Sequence, residues 1–505
     1  ISSDIQSSNK TAISAYIASL LDFNKIKIHY LKLNPALSVQ LGLLAPQAVG
    51  EAFITFDGGQ LDKDVGILER SLSYPLSKKS CLTLGQAIDT INVSEANSKD
   101  CCFEFLSMDD HLVQYIVNHI KSFSEESEDI MVIEIGGSIT ELGGQAFCKA
   151  VSKLEPRSCH HIFVGDNKQN FFNSINSADL DLFIQFDDQQ RQRGMHIEDL
   201  ILTQINQLIS KQLKVKMAQV NLEHTCLHSP FNQKFTKQIQ VAIVGRYIQN
   251  PAAYMSILDA LYTAAQFNQI SISLKFIQSL YLNENNVDEN LKDVDAIIIP
   301  GGFGQCGLEG KITAIKYART KKIPMLGICL GFQLTIIEFA RNVCGMTGAN
   351  TTEIDPNCEY PVIDKLHEII CGLTGECAQS QKKFQEISYN KYFGMNLGDC
   401  VINPIKGTIA AECFNEDKKE RHWHSYAVNM KFWQKLAEKG LIAAVWDQTN
   451  NIVVGVEIKD HPFFVAYQFH PEFKSDYGQP RKIFEQFVTT AHNLLDKKSK
   501  NTNKQ

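Results

Sequence analysis

The sequence predicts an α/β protein made of two domains, each built around a parallel sheet. Short apolar segments that end in glycine or proline alternate with segments of helical period along the chain. Ile130–Ile135 before Gly136, and Ala296–Ile299 before Pro300, have the continuous apolar character of buried parallel strands. The alternation lapses at residues 226–237, a polar stretch with one proline, and we predict a linker there.

Two series of elements set the predicted domain bounds. The first consists of a helical segment and two strand-like segments, at residues 12–21, 27–33 and 180–186. The second consists of three strands and a helix, at residues 241–245, 272–276, 295–299 and 254–265. We therefore predict an amino-terminal domain at 1–225, a carboxy-terminal domain at 238–492 and a polar tail at 493–505.

Composition excludes several classes of protein. With 44% hydrophobic and 21% charged residues, the 505-residue chain is neither disordered nor fibrous. A net charge of −7 argues against general affinity for nucleic acid or anionic membranes. No segment approaches the roughly 18 consecutive apolar residues of a membrane span, and so we expect no membrane insertion.

Cysteine usage predicts a reducing compartment. The 14 cysteines include the adjacent pair Cys101 and Cys102 and form no Cys-x-x-Cys motif, which favours neither a disulfide framework nor a zinc site. We expect a cytoplasmic protein, with an organelle left open if a targeting segment precedes Ile1.

The segment from Gly327 to Gly331 has the Gly-x-nucleophile-x-Gly form of a nucleophile elbow, with Cys329 at its centre. A sharp turn between a strand and a helix needs small flanking residues, and it exposes the central side chain. The amino terminus of the following helix favours the thiolate, which is the reactive form of cysteine. Cys329 is therefore the candidate nucleophile.

Two further elements complete a possible catalytic site. His470 follows an apolar strand, and the carboxylate of Glu472 two positions later can orient the imidazole that takes the thiol proton. Gly301 and Gly302 follow another strand, where glycines let backbone N–H groups approach a developing oxyanion. The three elements together predict nucleophilic catalysis by cysteine.

These elements resemble the class I glutamine amidotransferases, and the surrounding sequence narrows the resemblance to the CTP synthase family. The matching segments lie at 300–311, 323–333, 348–353 and 461–475. The resemblance implies an amino-terminal P-loop-like synthetase domain with a parallel sheet, followed by a class I glutamine amidotransferase domain. In that family the second domain hydrolyses glutamine through a triad that would here be Cys329, His470 and Glu472.

The resemblance also implies a set of glutamine contacts. They would be Gly302, Phe303, Leu330, Gln333 and Glu353, with the carboxylate of Glu353 pairing with the substrate ammonium. Ser425 stands where the family has an arginine that contacts glutamine, and the loss of such a charge-assisted bond would lower glutamine affinity roughly ten- to a hundredfold. Cys306 replaces another family arginine, so we expect activation by GTP to be impaired.

The amino-terminal half follows the order of the family's synthetase domain but departs from its chemistry. Lys10 and Thr11 match the end of a phosphate-binding loop and are the predicted nucleotide-binding residues. Asp4 and Asn9 stand where such a loop has glycine, and a carboxylate beside phosphate is repulsive. The sequence predicts that the strand which normally precedes the loop is absent from this chain.

Magnesium and pyrimidine sites are also altered. Glu134 matches a magnesium ligand of the family, whereas Asn34 stands where a second ligand is an aspartate. The element that reads UTP or CTP should follow residues 161–164, and we do not find it there. The resemblance implies ATP and Mg²⁺ as cofactors, but the departures predict that this chain binds none tightly.

Three functions stay open on the sequence alone. The first is a catalytically impaired family member retained as a structural or regulatory subunit of a homo- or hetero-oligomer. The second is an active CTP synthase that aminates UTP with ammonia from glutamine. The third is a stand-alone glutaminase, which the surviving Cys329, His470 and Glu472 favour and Ser425 disfavours. All three predict protein partners or glutamine as ligands, and none predicts nucleic acid.

Overall fold

A computed structural model gives the fold of the chain. It describes residues 1–3, 10–97, 108–124, 130–154, 160–165, 180–185, 199–214, 216–218, 235–374, 395–414, 416 and 418–502. Asp4, Asn9 and most of the predicted linker lie outside these ranges.

Strands are distributed along the whole described chain. They are β1 Ser2–Ser3, β2 Ile28–Asn34, β3 Ala52–Ile54, β4 Gln60–Asp62, β5 Cys81–Thr83, β6 Ile130–Ile135, β7 His161–Gly165, β8 Leu180–Gln185, β9 Lys237–Gly245, β10 Ile270–Gln278, β11 Ala296–Ile299, β12 Met325–Ile328, β13 Ala349–Thr351, β14 Tyr360–Lys365, β15 Asn396–Pro404, β16 Lys419–His424, β17 Tyr426–Val428, β18 Leu441–Asp447, β19 Ile452–Ile458 and β20 Phe464–Tyr467.

Helices alternate with these strands. They are α1 Lys10–Phe23, α2 Pro46–Val49, α3 Lys63–Glu69, α4 Leu84–Asn97, α5 Met108–Ser124, α6 Leu142–Ser152, α7 Asp199–Leu213, α8 Met255–Phe267, α9 Val287–Leu291, α10 Leu308–Lys321, α11 Leu330–Asn342, α12 Leu366–Thr374, α13 Ile409–Phe414, α14 Trp433–Glu438 and α15 Lys482–Thr502. The predicted α/β class is confirmed. Helix α15 continues through residues 493–502, where the sequence predicted a polar tail.

The chain forms two compact units, and each of them consists of two separate stretches of the sequence. The first contains Ile1–Leu44 and Gln60–Ser229. The second contains Ala45–Gly59 and Pro230–Gln505. A short segment from the amino-terminal half of the sequence therefore belongs to the unit that carries the candidate nucleophile.

The first unit contains parallel sheets, as predicted. One has the strand order β5-β2-β6 and the other β1-β7-β8, and every pairing in them is parallel. The prediction that no strand precedes the expected phosphate loop is wrong: β1 lies there, and its Ser2 and Ser3 pair with Phe163 and Val164. Two serines have no apolar pattern, so no feature of the sequence indicated this strand.

The second unit is organised by one large mixed sheet with the order β10-β9-β11-β12-β20-β19-β18-β15-β16. Strands β10, β9, β11, β12 and β20 are parallel to their neighbours, and the pairings from β20 to β16 are antiparallel. Helices α8, α13 and α15 pack on one face, and α10 and α11 pack on the other. The carboxyl ends of β11, β12 and β20 consequently meet at one edge of the sheet.

A buried ion pair joins the two helices that follow β11 and β12. Arg319 of α10 donates to both carboxylate oxygens of Glu338 in α11, at distances of 2.7 to 3.2 Å, and Glu338 is fully buried. Such bidentate bonds fix geometry as well as charge. The pair fixes α10 and α11 relative to each other, and with them the loops that precede both helices.

The segment Ala45–Gly59 is anchored in the second unit by polar and aromatic contacts. Glu51 accepts hydrogen bonds from the backbone N–H of Ser256 at 2.9 Å and from its hydroxyl. The buried guanidinium of Arg421 donates to the carbonyl of Ile54 at 2.9 Å. These bonds place the segment beside β16 and α8.

None of the described helices combines the length and the apolar character required to cross a bilayer.

Candidate active site

The candidate nucleophile Cys329 lies in the turn between β12 and α11. Its backbone has φ 53° and ψ −102°, a conformation that residues with a side chain rarely adopt. Its N–H donates to the carbonyl of Tyr467 at 2.8 Å, so β20 holds the turn in place. The thiol is almost fully buried and donates to the carbonyl of Trp423 at 3.5 Å. This is the strained geometry of a nucleophile elbow.

Close packing explains the two glycines of the motif. A Cβ on Gly331 would lie 2.1 Å from the carbonyl oxygen of Ile299, and one on Gly327 would lie 2.9 Å from the Cβ of Ala466. Real Cβ atoms do not approach other atoms so closely. A larger residue at either position would push the elbow away from β11 or β20, so the glycines are required by the sheet.

His470 and Glu472 lie at the end of β20, beside the thiol. Nδ1 of His470 is 2.7 Å from Oε1 of Glu472. Burial alone would lower the pKa of the imidazole, but the charges of Glu472 and of the Cys329 sulfur raise this pKa to about 10. The imidazole is therefore protonated at neutral pH, which favours a thiolate beside it.

Gly301 lies between the two reactive groups. A Cβ at this position would be 3.1 Å from Cε1 of His470 and 3.4 Å from the Cβ of Cys329. The imidazole and the thiol therefore flank the same point, and a hydrogen bond between their side chains contributes to the raised pKa of His470. Nδ1 is bonded to Glu472, so the other ring nitrogen is the one that serves proton transfer with the thiol.

The predicted glutamine contacts lie around the elbow. Gly302, with φ 152°, is in contact range of Leu330, since a Cβ on it would be 3.9 Å from the leucine Cδ2. The N–H of Gly304 donates to the carboxylate of Glu353, whose pKa is raised by burial. Phe303 lies between these glycines in sequence, so four of the five predicted residues belong to one loop and the groups against it.

Gln333 connects the elbow to β20 through a residue for which sequence reasoning gave no role. Its side-chain amide donates to the carbonyl of Tyr426 at 3.2 Å and to the side-chain oxygen of Gln468 at 3.3 Å. Gln468 in turn directs its own amide towards the Cys329 sulfur at 3.8 Å. The sequence feature that could have identified Gln468 as a site residue is its position, two residues before His470 at the end of a buried strand.

Trp423 is a second site residue that the sequence did not reveal. Its ring packs edge-on against Phe303 with 4.9 Å between centroids, and it lies 6.2 Å from the ring of His470. Trp423 lies in β16, and no motif of the sequence marks it as a site residue. Ser425 itself is half-buried and makes no side-chain hydrogen bond within the described chain. Cys306 is exposed.

A cavity opens beside Cys329 and His470 within the second unit. It is lined by residues of the 45–59 segment and by aromatic and aliphatic side chains, namely Pro46, Glu51, Ala52, Tyr247, Tyr254, Ile257, Phe303, Trp423 and Phe473. Gly302 and Glu472 also line it, whereas Leu330, Gln333 and Glu353 do not. The elbow therefore has one apolar side facing this cavity and another side carrying Gln333 and Glu353.

In the first unit, the predicted metal ligand Glu134 is fully buried, and both of its carboxylate oxygens accept hydrogen bonds. One oxygen accepts from Lys32 at 2.7 Å and from the hydroxyl of Thr11 at 3.0 Å, and the other accepts from Tyr30 at 3.0 Å. Lys10, the other predicted nucleotide-binding residue, donates to the carbonyl of Gly137. Burial lowers the pKa of Lys10 to about 8, although the charge of Glu134 opposes this.

The neighbouring aspartates are bonded in the same way. Asp64 is paired with the ammonium groups of Lys32 and Lys63. Burial alone would raise the pKa of Asp64, but these ammonium groups hold it well below its usual range. Asn34 donates to the carboxylate of Asp62 at 2.7 Å. Among the described residues, no three histidine, cysteine, aspartate or glutamate side chains converge as a metal ion requires.

Comparison with known proteins covers both halves of the chain. The family model described as "CTP synthase N-terminus" matches residues 3–243, and the model described as "Glutamine amidotransferase class-I" matches residues 253–490. A CTP synthase of Caldanaerobacter subterraneus is 30% identical over 541 aligned residues, which cover 97% of each chain. The chain belongs to the CTP synthase family. The resemblance inferred from the motifs is thereby confirmed.

A second CTP synthase sequence agrees with this assignment. A CTP synthase of Clostridium acetobutylicum is 30% identical, with 98% of each chain covered. Among solved structures, the Trypanosoma brucei CTPS glutaminase domain with bound acivicin is 29% identical, with a TM-score of 0.44, and the match covers 50% of this chain and 94% of that one. The family confirms the predicted two-part fold.

This CTP synthase family member also carries a buried histidine pair in β16, behind the triad. Nδ1 of His422 is 2.9 Å from Nε2 of His424, and Nδ1 of His424 is 2.9 Å from the carbonyl of Tyr426. Burial lowers the pKa of each imidazole to about 3. Both histidines are therefore neutral in the folded chain.

We predict acid lability from this pair. The unfolded chain binds protons at histidine near its ordinary pKa of about 6.5, whereas folded His422 and His424 do not, so unfolding takes up protons below that pH. The free energy of unfolding of the second unit should fall by up to about 1.4 kcal/mol per pH unit for each histidine as pH drops below about 6.5. Denaturant melts between pH 7.5 and 5 would measure this slope.

The double variant His422→Gln/His424→Gln should have a flatter slope, whatever its stability at neutral pH. His492→Gln, on α15, is the matched control and should keep the slope of the parent chain. An unchanged slope in the double variant would contradict the assignment.

Proposed function

We propose that the second unit hydrolyses glutamine at Cys329. The observation that carries the proposal is the arrangement of Cys329 and His470 about Gly301, with Glu472 bonded to the far side of the imidazole. A nucleophile, its base and the group that orients the base are thus in one place.

The chemistry follows from these positions. The His470 imidazolium holds the proton of the thiol, and the Cys329 thiolate attacks the carbon of the glutamine side-chain amide. We expect backbone N–H groups of the Gly301-Gly302 loop and of Leu330, at the start of α11, to stabilise the oxyanion. The C–N bond breaks as His470 returns the proton, so ammonia leaves and a thioester remains. Water activated by His470 then hydrolyses the thioester to glutamate.

The first test is glutamine hydrolysis with matched cysteine variants. Cys329→Ser should abolish glutamate release and covalent labelling by a glutamine-analogue electrophile, because no thiolate remains. Cys344→Ser, a half-buried cysteine of the same unit, should retain both. Ser425→Arg should lower the KM for glutamine roughly ten- to a hundredfold by restoring a charge-assisted bond to the substrate carboxylate. Labelling of other cysteines while Cys329 stays inert would sink the proposal.

We further propose that the synthetase half is catalytically impaired. Mg²⁺ prefers carboxylate oxygens, yet the oxygens of Glu134 are taken by Lys32, Thr11 and Tyr30. A magnesium–polyphosphate would have to break this buried network, and leaving either partner of a buried ion pair alone costs about 3–5 kcal/mol. The residues as placed do not fit the group, and we derive no step through it.

ATP binding tests this second proposal. Calorimetry with ATP and Mg²⁺ should give no saturation at micromolar nucleotide, and incubation with UTP, ATP and ammonium should yield no CTP. Asn34→Asp restores a family carboxylate and should give no more than weak binding, because Lys32 still neutralises the neighbouring acids. A dissociation constant in the low micromolar range, or CTP formed with ammonium, would overturn the proposal.

An active CTP synthase is the second candidate function. It is favoured by the extent of the similarity, since the alignment at 30% identity spans 97% of both chains. CTP formation from glutamine in the assay above would select it.

We propose that the impaired chain acts within an assembly, as a structural or regulatory subunit. Packing tolerates substitutions that catalysis does not, so a chain can keep its interaction surfaces after substitutions have removed its activity. Leu37 and Leu43 of the first unit are 72% and 68% exposed in the isolated chain, and large exposed side chains close in sequence are typical of interfaces.

Sedimentation tests this role. The full chain should sediment as an oligomer, or form one with an active synthase, and Leu37→Asp/Leu43→Asp should lower its mass. Phe267→Asp, an exposed position on α8 of the second unit, is the control and should not. A monomer that binds no synthase would contradict the assembly role.

A further inference from the structure

Lys311 is a buried cation beside the active site that the mechanism above does not use. It lies in the first turn of α10 and is 2% exposed. Its ammonium donates to the carbonyl of Pro300 at 3.0 Å. Pro300 immediately precedes Gly301, the residue flanked by the thiol and the imidazole.

The ammonium has no carboxylate partner within the described parts of the chain. Two buried carboxylates of the second unit are paired with arginines, Glu338 with Arg319 and Glu420 with Arg481. An unpaired buried charge is unfavourable unless something nearby compensates it. For Lys311, the carbonyl of Pro300 accepts a hydrogen bond, and the charge of the Cys329 sulfur opposes the effect of burial on the pKa of the ammonium.

The balance of charges keeps Lys311 protonated at neutral pH. Burial lowers its pKa to about 8, the Cys329 sulfur opposes this, and Arg246 adds to it. The charges of His470, after β20, and of Lys311, on α10, both interact with the sulfur, whereas Arg246, after β9, acts on Lys311. Arg246 is directed at the carbonyl of Phe303, at 3.4 Å.

We propose that Lys311 is a positioning residue of the glutaminase reaction, whose ammonium fixes the Pro300-Gly301-Gly302 loop and stabilises negative charge on the Cys329 sulfur. The proposal rests on the proposed glutamine hydrolysis for its consequence in turnover. Its electrostatic part concerns the thiol alone and holds whether or not glutamine is turned over. The Lys311 ammonium thus fixes the loop and stabilises the thiolate, and the imidazole of His470 stabilises the thiolate as well.

The test is the pH dependence of Cys329 alkylation by iodoacetamide in the full chain, followed by mass spectrometry of the labelled peptide. Lys311→Met should raise the midpoint of the profile by about one pH unit, which is roughly a tenfold loss of reactive thiolate near neutral pH. Lys311→Gln keeps a donor of similar shape without the charge, and its midpoint should rise by a similar amount. Lys275→Met is the matched control, because Lys275 likewise donates to a backbone carbonyl, that of Asn290 at 2.7 Å.

The outcomes separate charge from structure. A raised midpoint in Lys311→Gln, with Lys275→Met unchanged, supports the proposal even if Lys311→Met does not fold. A midpoint in Lys311→Gln equal to that of the parent chain overturns it, since the hydrogen bond would then be the whole role. A raised midpoint in a chain that releases no glutamate supports the charge effect while refuting the proposed hydrolysis.

Discussion

The packing of β12 between β11 and β20 is the constraint on which the active site depends. The elbow at Cys329 holds an unfavourable backbone conformation, and such strain persists only where the surroundings leave no alternative. Ile299 closes in on Gly331 from β11, and Ala466 closes in on Gly327 from β20. A methyl group at either glycine would relax the turn and move the thiol away from the imidazole. The position of the thiol relative to the imidazole therefore depends on the spacing of β11, β12 and β20.

This explains how much of the site could be predicted from the sequence. In a parallel sheet the carboxyl ends of neighbouring strands share an edge, so motifs that end strands converge even when they are far apart in the chain. Cys329, His470 and the Gly301-Gly302 loop each follow such a strand, and their convergence was predictable. Trp423 was not, because it reaches the site from β16, at the antiparallel end of the sheet, where strand order has no local signal.

The place of the 45–59 segment in the second unit could not be predicted from the sequence either. Glu51 bonds to Ser256, 205 residues away, and Arg421 reaches Ile54 across 367 residues. No periodicity or motif encodes such contacts, so the sequence pattern favoured a single domain boundary near residue 226. Arg421 also accepts the N–H of His470 on its carbonyl at 2.8 Å. The segment is thereby tied through one residue to the turn that carries the catalytic base.

The two units use buried charge in opposite ways. In the first, the ammonium of Lys32 lies between Asp64 and Glu134, so opposite charges neutralise one another and each added bond makes the cluster harder to open for an ionic ligand. In the second, the cations of Lys311 and His470 both interact with the sulfur of the candidate nucleophile. Charge that is in place before a reaction stabilises the negative charge that the reaction develops. The second unit therefore supports the proposed glutamine hydrolysis, and the paired cluster of the first supports the proposed impairment of the synthetase half.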